Sequence, residues 1–232
     1  MPMHTNKILL LLAATAISVS LAIAETPRTV EQRTLVIDSF QSGISDQWQE
    51  KRFKGQTHYK AAQKDNLSSI MAESNGAASG LFFKITYKPE TYPIIEWSWQ
   101  IEHVLAAGNA RLKEGDDYAA RIYVVFPSLF FWRTKAINYV WANKLDKGEL
   151  LPNAYTPNAA MIAVESGNQH AGQWLTERRN IIEDYQRAFG EPPPEVGAIA
   201  IMTDTDDTGE QARAWYGPIT IKSEPGSAAT KP

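Results

Sequence analysis

Three carboxylates crowd into four residues near the carboxyl end of the chain, at Asp204, Asp206 and Asp207. They follow the apolar run Ala198–Met202, and Gly209 permits a turn directly after them. Like charges at this spacing repel one another unless water, a cation or a basic side chain compensates them. The sequence therefore indicates this acidic turn as the first place to look for a site.

Calcium binding is one chemistry for this turn, because hard cations accept oxygen ligands from scattered loops. The spacing matches the opening of an EF-hand loop, but Trp215 stands at the twelfth position, where that loop needs a bidentate Glu. An EF-hand is therefore excluded. A solvated turn, whose Asp and Thr side chains bond their own backbone, explains the same pattern. If calcium does bind, the expected ligands are Asp204, Asp206, Asp207 and Asp38.

A second candidate site centres on Arg121, which lies mid-strand among apolar neighbours and needs an acidic partner there. If the strands that carry Glu96, Arg121 and Asp204 are neighbours, these side chains share one concave face with Tyr123. Such a face could bind sugar hydroxyls, or it could hold a structural ion pair. The predicted ligand-binding residues are Glu96, Asp117, Arg121, Tyr123, Asp204 and Asp206.

Catalysis has weaker support in the sequence. Asp204 and Asp206 could serve as acid and base in glycoside hydrolysis, but any Asp-rich turn would satisfy that spacing. The chain has no Gly-x-Ser-x-Gly elbow, and His58, His103 and His170 lack the spacing of a zinc site. No catalytic residue is therefore assigned.

Short alternating segments separated by turn signals recur along the chain, which is typical of antiparallel sandwiches. In the segment 94–102, every second residue is Ile or Trp, which predicts a half-buried strand. We predict an all-β, mainly antiparallel fold, a two-sheet β-sandwich of jelly-roll type. One short helix is predicted over residues 182–189, and a weaker helical pattern covers residues 103–113.

Composition indicates a single domain over residues 35–221, since no shift in composition marks a linker. The flanking segments 25–34 and 222–232 are rich in Pro, Ser, Ala and charge and are predicted to be flexible. The chain has no cysteine, which excludes disulfides, thiolate catalysis and thiolate metal sites.

Residues 1–24 have the three parts of an export signal, namely Lys7, the apolar stretch Ile8–Ser20 and the cleavage motif Ala22-Ile-Ala24. A retained membrane anchor is the alternative for this segment. Cleavage would remove one of 23 bases and none of the 26 acids, and the mildly acidic remainder argues against binding nucleic acid. We expect a soluble periplasmic or secreted protein without stable membrane insertion after signal cleavage.

The segment Ser128–Trp132 contains four large apolar residues between two predicted strands, where a polar loop is expected. If exposed, the segment would mark a contact with glycan, lipid or protein. If buried, it would cap the core of the sandwich. The sequence leaves both interpretations open.

Several motifs occur together: Asp38-Ser-Phe40 with Trp48, Ala78–Leu81, Pro93–Trp99, Gly115–Asp117 before Arg121–Phe126, Tyr139–Trp141, Trp174–Asn180, Asp184-Tyr185 with Phe189-Gly190, and Met202–Asp206 with Thr208-Gly209. In combination they resemble a bacterial family of exported proteins known only as a domain of unknown function. That resemblance implies no activity. The opening Asp-x-Phe and closing Tyr-Gly-x-Ile-x-Ile strands also resemble carbohydrate-binding jelly rolls, in which the first and last strands pair. This looser resemblance concerns the fold alone.

The sequence thus favours an exported, non-catalytic binding module for a carbohydrate or an envelope glycan. One alternative is a glycan-cleaving enzyme that uses Asp204 and Asp206. The other is a structural or protein-binding envelope protein that uses the patch Phe130–Trp132. No cofactor is expected, apart from calcium if the acidic turn binds it.

Overall fold

The computed structural model describes Met1 and residues 31–225. Apart from Met1, the predicted export signal lies outside the described residues, as do residues 25–30 and 226–232 of the predicted flexible ends. Within the described part, no helix has the length and apolar character that a membrane crossing requires.

Strands dominate the described chain, and one α-helix accompanies them. The strands are β1 (Thr34–Asp38), β2 (Trp48–Lys54), β3 (His58–Lys64), β4 (Leu67–Asn75), β5 (Ala78–Tyr87), β6 (Ile94–Ile101), β7 (Arg121–Phe126), β8 (Lys135–Ala142), β9 (Leu150–Pro152), β10 (Ala159–Ser166), β11 (Leu175–Asn180), β12 (Val196–Asp204) and β13 (Gln211–Lys222). The helix α1 (Ile181–Phe189) matches the predicted helix within one residue.

The strands form two sheets. The first has six strands in the order β11-β6-β13-β4-β3, with β1 also paired to β13, and the second has seven in the order β2-β5-β12-β7-β8-β10-β9. Every strand pair is antiparallel except β8 with β10. The prediction of a mainly antiparallel, two-sheet β-sandwich of jelly-roll type is confirmed.

The core lies between the two sheets and is rich in aromatic residues. Trp97 and Trp99 point inward from β6, as the alternation of that strand predicts, and both are buried. Trp97 stacks on Tyr139 of β8 with ring centroids 5.2 Å apart, and the ring centroids of Trp99 and Trp141 are 5.8 Å apart. These rings therefore join the two sheets and do not form a ligand platform.

The ends of the helix α1 follow from local chemistry. The Asn180 side chain accepts hydrogen bonds from the backbone N–H groups of Ile182 and Glu183, and Gly190 ends the helix with a left-handed φ of 72°. Tyr185 is buried against Phe126, with ring centroids 4.6 Å apart. The helix thus closes one end of the core.

The predicted helical pattern at residues 103–113 is wrong. This segment consists of turns that lead to a 3-10 turn at Lys113–Gly115. Gly108 lies so close to Asn143 that a Cβ atom there would be 2.1 Å from Asn143 Nδ2. Asn143 in turn accepts a hydrogen bond from Leu105 N at 2.9 Å. Tertiary contacts with this side chain therefore decide the backbone path.

The first and last strands pair, as the jelly-roll resemblance implies. Leu35 of β1 faces Ile221 of β13 in the antiparallel ladder. The pairing continues before residue 34, because Arg33 N donates to Ser223 Oγ at 2.9 Å and Gln32 Nε2 donates to Ser223 O at 2.7 Å. Ordered structure thus reaches slightly beyond residues 35–221 at both ends.

Candidate functional site

A groove of about 490 Å³ crosses the outer face of the seven-stranded sheet. It reaches from β2 at one side to β10 and the loop before it at the other. The side chains that line it include aromatic, amide and acidic groups: Phe53, Phe82, Asp116, Arg121, Tyr123, Asn138, Asn153, Tyr155, Met202, Asp204, Asp206 and Asp207. Its volume lies within the usual range of small-ligand sites.

Strand alternation explains why these side chains face outward. On β7, Ile122 and Val124 point into the core, so that Arg121 and Tyr123 must point to the opposite face. Met202 of β12 is the direct cross-strand neighbour of Arg121. The pleat of the central strands therefore forms the floor of the groove.

Arg121 and Asp204 form a buried ion pair in that floor. Only 4% of Arg121 and 1% of Asp204 are exposed. Arg121 Nη2 contacts Asp204 Oδ2, and Nη1 lies 3.9 Å from Asp116 Oδ2. Asp204 Oδ1 accepts a hydrogen bond from Tyr118 N at 3.2 Å. The prediction that Arg121 is buried and paired with an acid is thus confirmed.

Asn143 fixes the loop that carries Asp116 and Asp117 to the groove. While its Oδ1 accepts from Leu105 N, its Nδ2 donates to Asp117 O at 2.7 Å. Asn153 Nδ2 holds Asp116 Oδ2 at 2.7 Å from the other side. Two amide side chains therefore position the acidic residues that precede β7.

The acidic turn that follows β12 is tied to this loop. Asp117 Oδ2 accepts hydrogen bonds from the backbone N–H groups of Asp207, at 3.0 Å, and Thr208, at 2.6 Å. The Tyr155 hydroxyl donates to Asp207 Oδ1 at 2.7 Å. Lys54 Nζ donates to Asp206 O at 2.7 Å. Residues from three separate segments thus hold the turn.

The local electrostatics raise the pKa of two carboxyl groups in the groove. Burial raises the pKa of Asp116, and the nearby Arg121 guanidinium only partly opposes this effect. Burial also raises the pKa of Asp206, with further increases from the negative charges of Asp207 and Asp117. The acidic end of the groove is therefore short of positive charge.

Aromatic side chains form the walls of the groove. Phe53 and Tyr155 are each 54% exposed, on opposite sides of the floor. Phe82 lies between them beside Tyr123, with ring centroids 6.4 Å apart and tilted by 32°. Lys51 Nζ lies 5.0 Å from the centre of the Phe53 ring. Ring faces and edges are thus available to a ligand along the groove.

Buried polar atoms in the floor have unused hydrogen-bonding capacity. Asp116 Oδ1, Arg121 Nε and Asn138 Oδ1 are buried and have no partner among the described residues. Such atoms are costly to bury unless water or a ligand reaches them. The residues that carry these atoms, Asp116, Arg121 and Asn138, all line the groove.

The structure brings four of the six predicted ligand-binding residues into this groove: Arg121, Tyr123, Asp204 and Asp206. Asp117 does not line the groove, but its carboxylate accepts backbone hydrogen bonds from the acidic turn. The predicted placement of Glu96 beside Arg121 is wrong, because β6 belongs to the other sheet. Glu96 pairs there with Lys222 Nζ at 2.5 Å and lies 3.8 Å from Arg178 Nη1. Alternation predicts a polar face but does not tell which sheet carries it.

The predicted calcium ligands also need correction. Asp38 is not a ligand candidate, because both of its carboxylate oxygens accept other hydrogen bonds. Oδ1 accepts from Phe40 N at 2.7 Å, and Oδ2 accepts from Trp48 Nε1 at 2.8 Å. Asp204 is committed to Arg121. The three acidic residues that do converge in the described chain are Asp117, Asp206 and Asp207.

The apolar loop between β7 and β8 is exposed. Leu129 is 101% exposed, Phe131 82% and Trp132 59%. Of the two interpretations of this loop, the structure therefore excludes a cap on the core. The exposed loop lies outside the groove.

Sequence reasoning missed several groove residues: Phe53, Phe82, Asp116, Asn138, Asn153 and Tyr155. Phe53 and Phe82 lie on the same outer face of the sheet, but only the pairing of β2 with β5 brings both into one groove. Asn138 sits at an alternate position among inward-facing aromatic residues of β8, which was an available signal. Asn153 and Tyr155 lie in a loop, where spacing gives no direction.

The fold and the groove define a class of protein. It is a two-sheet β-sandwich with a groove of aromatic and polar side chains across the outer face of one sheet. The family described as "Protein of unknown function (DUF3047)" matches residues 46–220, and the chain belongs to this family. The matched residues include the whole groove, from Phe53 to Asp207. No curated protein matches the chain.

Solved structures of low sequence identity resemble the chain. The cellulose-induced protein Cip1 gives a TM-score of 0.45 at 10% identity, over 79% of this chain and 95% of its own. A family 29 carbohydrate-binding module gives 0.43 at 9% identity, over 84% and 87%. The endoglucanase Cel12A from Rhodothermus marinus gives 0.42 at 9%, over 78% and 99%.

Proposed function

We propose that the protein is an exported, non-catalytic carbohydrate-binding protein and that the groove holds the glycan. One observation carries the proposal: the same groove is lined by exposed aromatic rings and by polar residues that each carry a buried atom without a partner among the described residues. A carbohydrate combines apolar C–H faces with many hydroxyl groups. It therefore complements both kinds of surface at once.

The aromatic walls would take the apolar faces of the sugar rings. Phe53 and Tyr155 stand on opposite sides of the groove, and Phe82 and Tyr123 lie between them. Aromatic rings supply a large contact area at a low cost in side-chain entropy. Several such rings along one groove suit a chain of sugar units better than a single compact ligand.

The polar floor would take the hydroxyl groups. A hydroxyl can both donate and accept, so it suits a floor that contains the donor Arg121 Nε and the acceptors Asp116 Oδ1 and Asn138 Oδ1. The Arg121 guanidinium is already fixed by Asp204 and Asp116. A fixed donor loses little entropy on binding, which favours affinity.

A glycan-cleaving enzyme is the second candidate function, and the raised pKa of Asp116 in the groove favours it. A carboxyl group with a raised pKa is suited to donate a proton to a leaving oxygen. Asp204 fits an acid or base role poorly, since its two oxygens are engaged by Arg121 and Tyr118 N. A catalytic pair would therefore need Asp116 or Asp206 in place of Asp204.

The structural or protein-binding function would use a different surface, the exposed loop that contains Phe130–Trp132. This loop and the groove share no residue. Variants in one surface can therefore be used as controls for the other.

Binding of soluble polysaccharides from bacterial envelopes and plant cell walls, measured by calorimetry with the purified protein, tests the proposal. We expect one class to bind, and Phe53→Ala and Tyr155→Ala to weaken that binding about tenfold or more, as expected for the loss of about 1.4 kcal/mol or more. Phe131→Ala, an exposed aromatic residue outside the groove, is the matched control and should bind normally.

Two results would count against the proposal. Equal loss of affinity in Phe131→Ala would move the site away from the groove. Release of reducing ends that Asp116→Asn abolishes would establish the enzyme instead. Export is tested separately by the mass of the native protein, which we expect to begin at Glu25.

A further inference from the structure

Three carboxylates converge at the acidic end of the groove. Asp117, Asp206 and Asp207 each place a carboxylate oxygen within 4.8 Å of the others. Asp117 comes from the loop before β7, and the other two come from the turn after β12. This cluster is built from two separate segments, so it is more than a run of acids in one loop.

Asp117 supplies an independent observation. It is fully buried, and its Oδ2 accepts the two backbone hydrogen bonds from the turn. Its Oδ1 is also buried but has no partner among the described residues. A carboxylate oxygen buried without a partner is costly unless water, a donor or a cation offsets the loss of solvation. A cation beside this oxygen would remove that cost.

The basic side chains nearby do not balance the local charge. Arg121 is committed to Asp204 and Asp116. Lys54 Nζ lies 3.9 Å from Asp206 Oδ2, but 63% of its side chain is exposed, so solvent screens its charge. Lys113 lies over the Tyr155 ring at 5.4 Å. These three bases face five acids: Asp116, Asp117, Asp204, Asp206 and Asp207.

We propose that Asp117, Asp206 and Asp207 bind a divalent cation of the calcium class. Calcium takes six to eight oxygen ligands in flexible geometry, and three carboxylates with solvent water can supply them. Asp206 and Asp207 are only half buried, which leaves room for that water. The absence of sulfur and nitrogen ligands from the cluster favours a hard cation over zinc. This site goes beyond the glycan function and does not depend on it.

The test measures cation binding without any glycan. The full protein is treated with EGTA, and calcium is titrated by calorimetry and by thermal unfolding. At a hundredfold excess of calcium over Kd, we expect the melting temperature to rise by about 5–10 °C. Terbium should give luminescence on excitation of aromatic residues, because the Tyr155 hydroxyl contacts Asp207.

Two variants and one control make the assignment specific. Asp117→Asn and Asp206→Asn should each abolish the calcium-dependent rise, whereas Asp46→Asn, in an exposed turn far along the chain, should retain it. Asp206→Asn keeps the test valid if Asp117→Asn does not fold, since the carboxylate that ties the turn to the loop before β7 is that of Asp117 and not that of Asp206. A rise that persists in Asp206→Asn, or no calcium binding at all, would overturn the proposal. Because no sugar is present, failure here leaves the glycan function intact.

Discussion

The outer faces of the two sheets both carry basic and acidic side chains in pairs, yet the pairs differ in burial. On the six-stranded sheet, Arg213 pairs with Glu73 at 2.8 Å, and these side chains are 41% and 35% exposed. On the seven-stranded sheet, the side chains of Arg121 and Asp204 are 5% and 2% exposed. The same residue types thus form a solvated surface on one sheet and a buried site on the other.

Loops cause this difference. Residues 105–118 fold over one end of the seven-stranded sheet and bury a second apolar cluster there: Ala110, Tyr118, Val140, Ala142, Leu145, Met161 and Ala163. Tyr118 of this cluster lies beside the Arg121 guanidinium, with Cζ 5.0 Å from the ring centre, and so contributes to the burial of the groove floor. The lesson is that burial of a polar face, more than its composition, makes it a candidate site.

Replacing the buried base should have the largest effect. Arg121→Ala strands Asp204 and Asp116 without a counter-charge, and we expect it to lower the free energy of unfolding by about 3–5 kcal/mol. Arg213→Ala, on the other sheet, should cost under about 1 kcal/mol. Chemical denaturation measures both. Equal costs would show that the two faces do not differ as described.

Next in size is the effect of Asn138 on affinity. Its Oδ1 has no partner within the described chain and its Nδ2 donates only a weak hydrogen bond to Met161 Sδ, so Asn138→Ala should change the free energy of unfolding by only about 1 kcal/mol. Glycan affinity should fall about tenfold, since a ligand hydroxyl loses its acceptor. Calorimetry and denaturation of the same variant separate the two effects. A large loss of stability with unchanged affinity would make Asn138 a purely structural residue.

On the six-stranded sheet, the pair formed by Lys222 and Glu96, whose side chains are 18% and 27% exposed, should contribute less than the buried pair of Arg121 and Asp204. A double-mutant cycle with Lys222→Met and Glu96→Gln is expected to give a coupling of under about 1 kcal/mol. The coupling should shrink further in high salt. A larger, salt-independent value would mean that this sheet also holds a buried pair.

The smallest effect concerns pH. Because the pKa of Asp206 is raised in the folded state, its ionised form disfavours folding, and the folded protein takes up the proton more readily than the unfolded chain. In chelator at pH 7, Asp206→Asn should therefore be slightly more stable than the natural chain. The difference in stability between Asp206→Asn and the natural chain should disappear as the pH falls through the folded pKa towards the unfolded value near 3.8. Denaturation at several pH values checks the sign, and a gain that grows on acidification would contradict it.

Local signals in the sequence predicted the elements well. The alternation of Ile95, Trp97 and Trp99 defined β6, and Gly190 marked the end of α1 correctly. The apolar neighbours of Arg121 along the chain correctly indicated that this base needs an acidic partner, although Arg121 begins β7 and does not lie in its middle. These predictions depend only on neighbours along the chain, where periodicity and capping chemistry act directly.

The composition of the groove could be predicted only in part. Glu96 and Arg121 both lie on polar faces of alternating strands, and nothing in either strand reveals that they belong to different sheets. Phe53 shares the groove with Phe82 only through the pairing of β2 with β5. Asp38 looks like a free carboxylate in sequence, but Trp48 takes one of its oxygens through a contact ten residues away. Sheet order and long-range contacts decide these cases.

The pairing of β1 with β13 has a practical consequence for handling the protein. Gln32 and Ser223 lie side by side on the six-stranded sheet, whereas the groove opens on the opposite face of the sandwich. A fluorescent tag or a surface tether attached at either end would therefore leave the groove accessible. A short linker between the two ends would also allow a circular permutant, opened at the exposed Asp65-Asn66 hairpin, that keeps every groove residue in place.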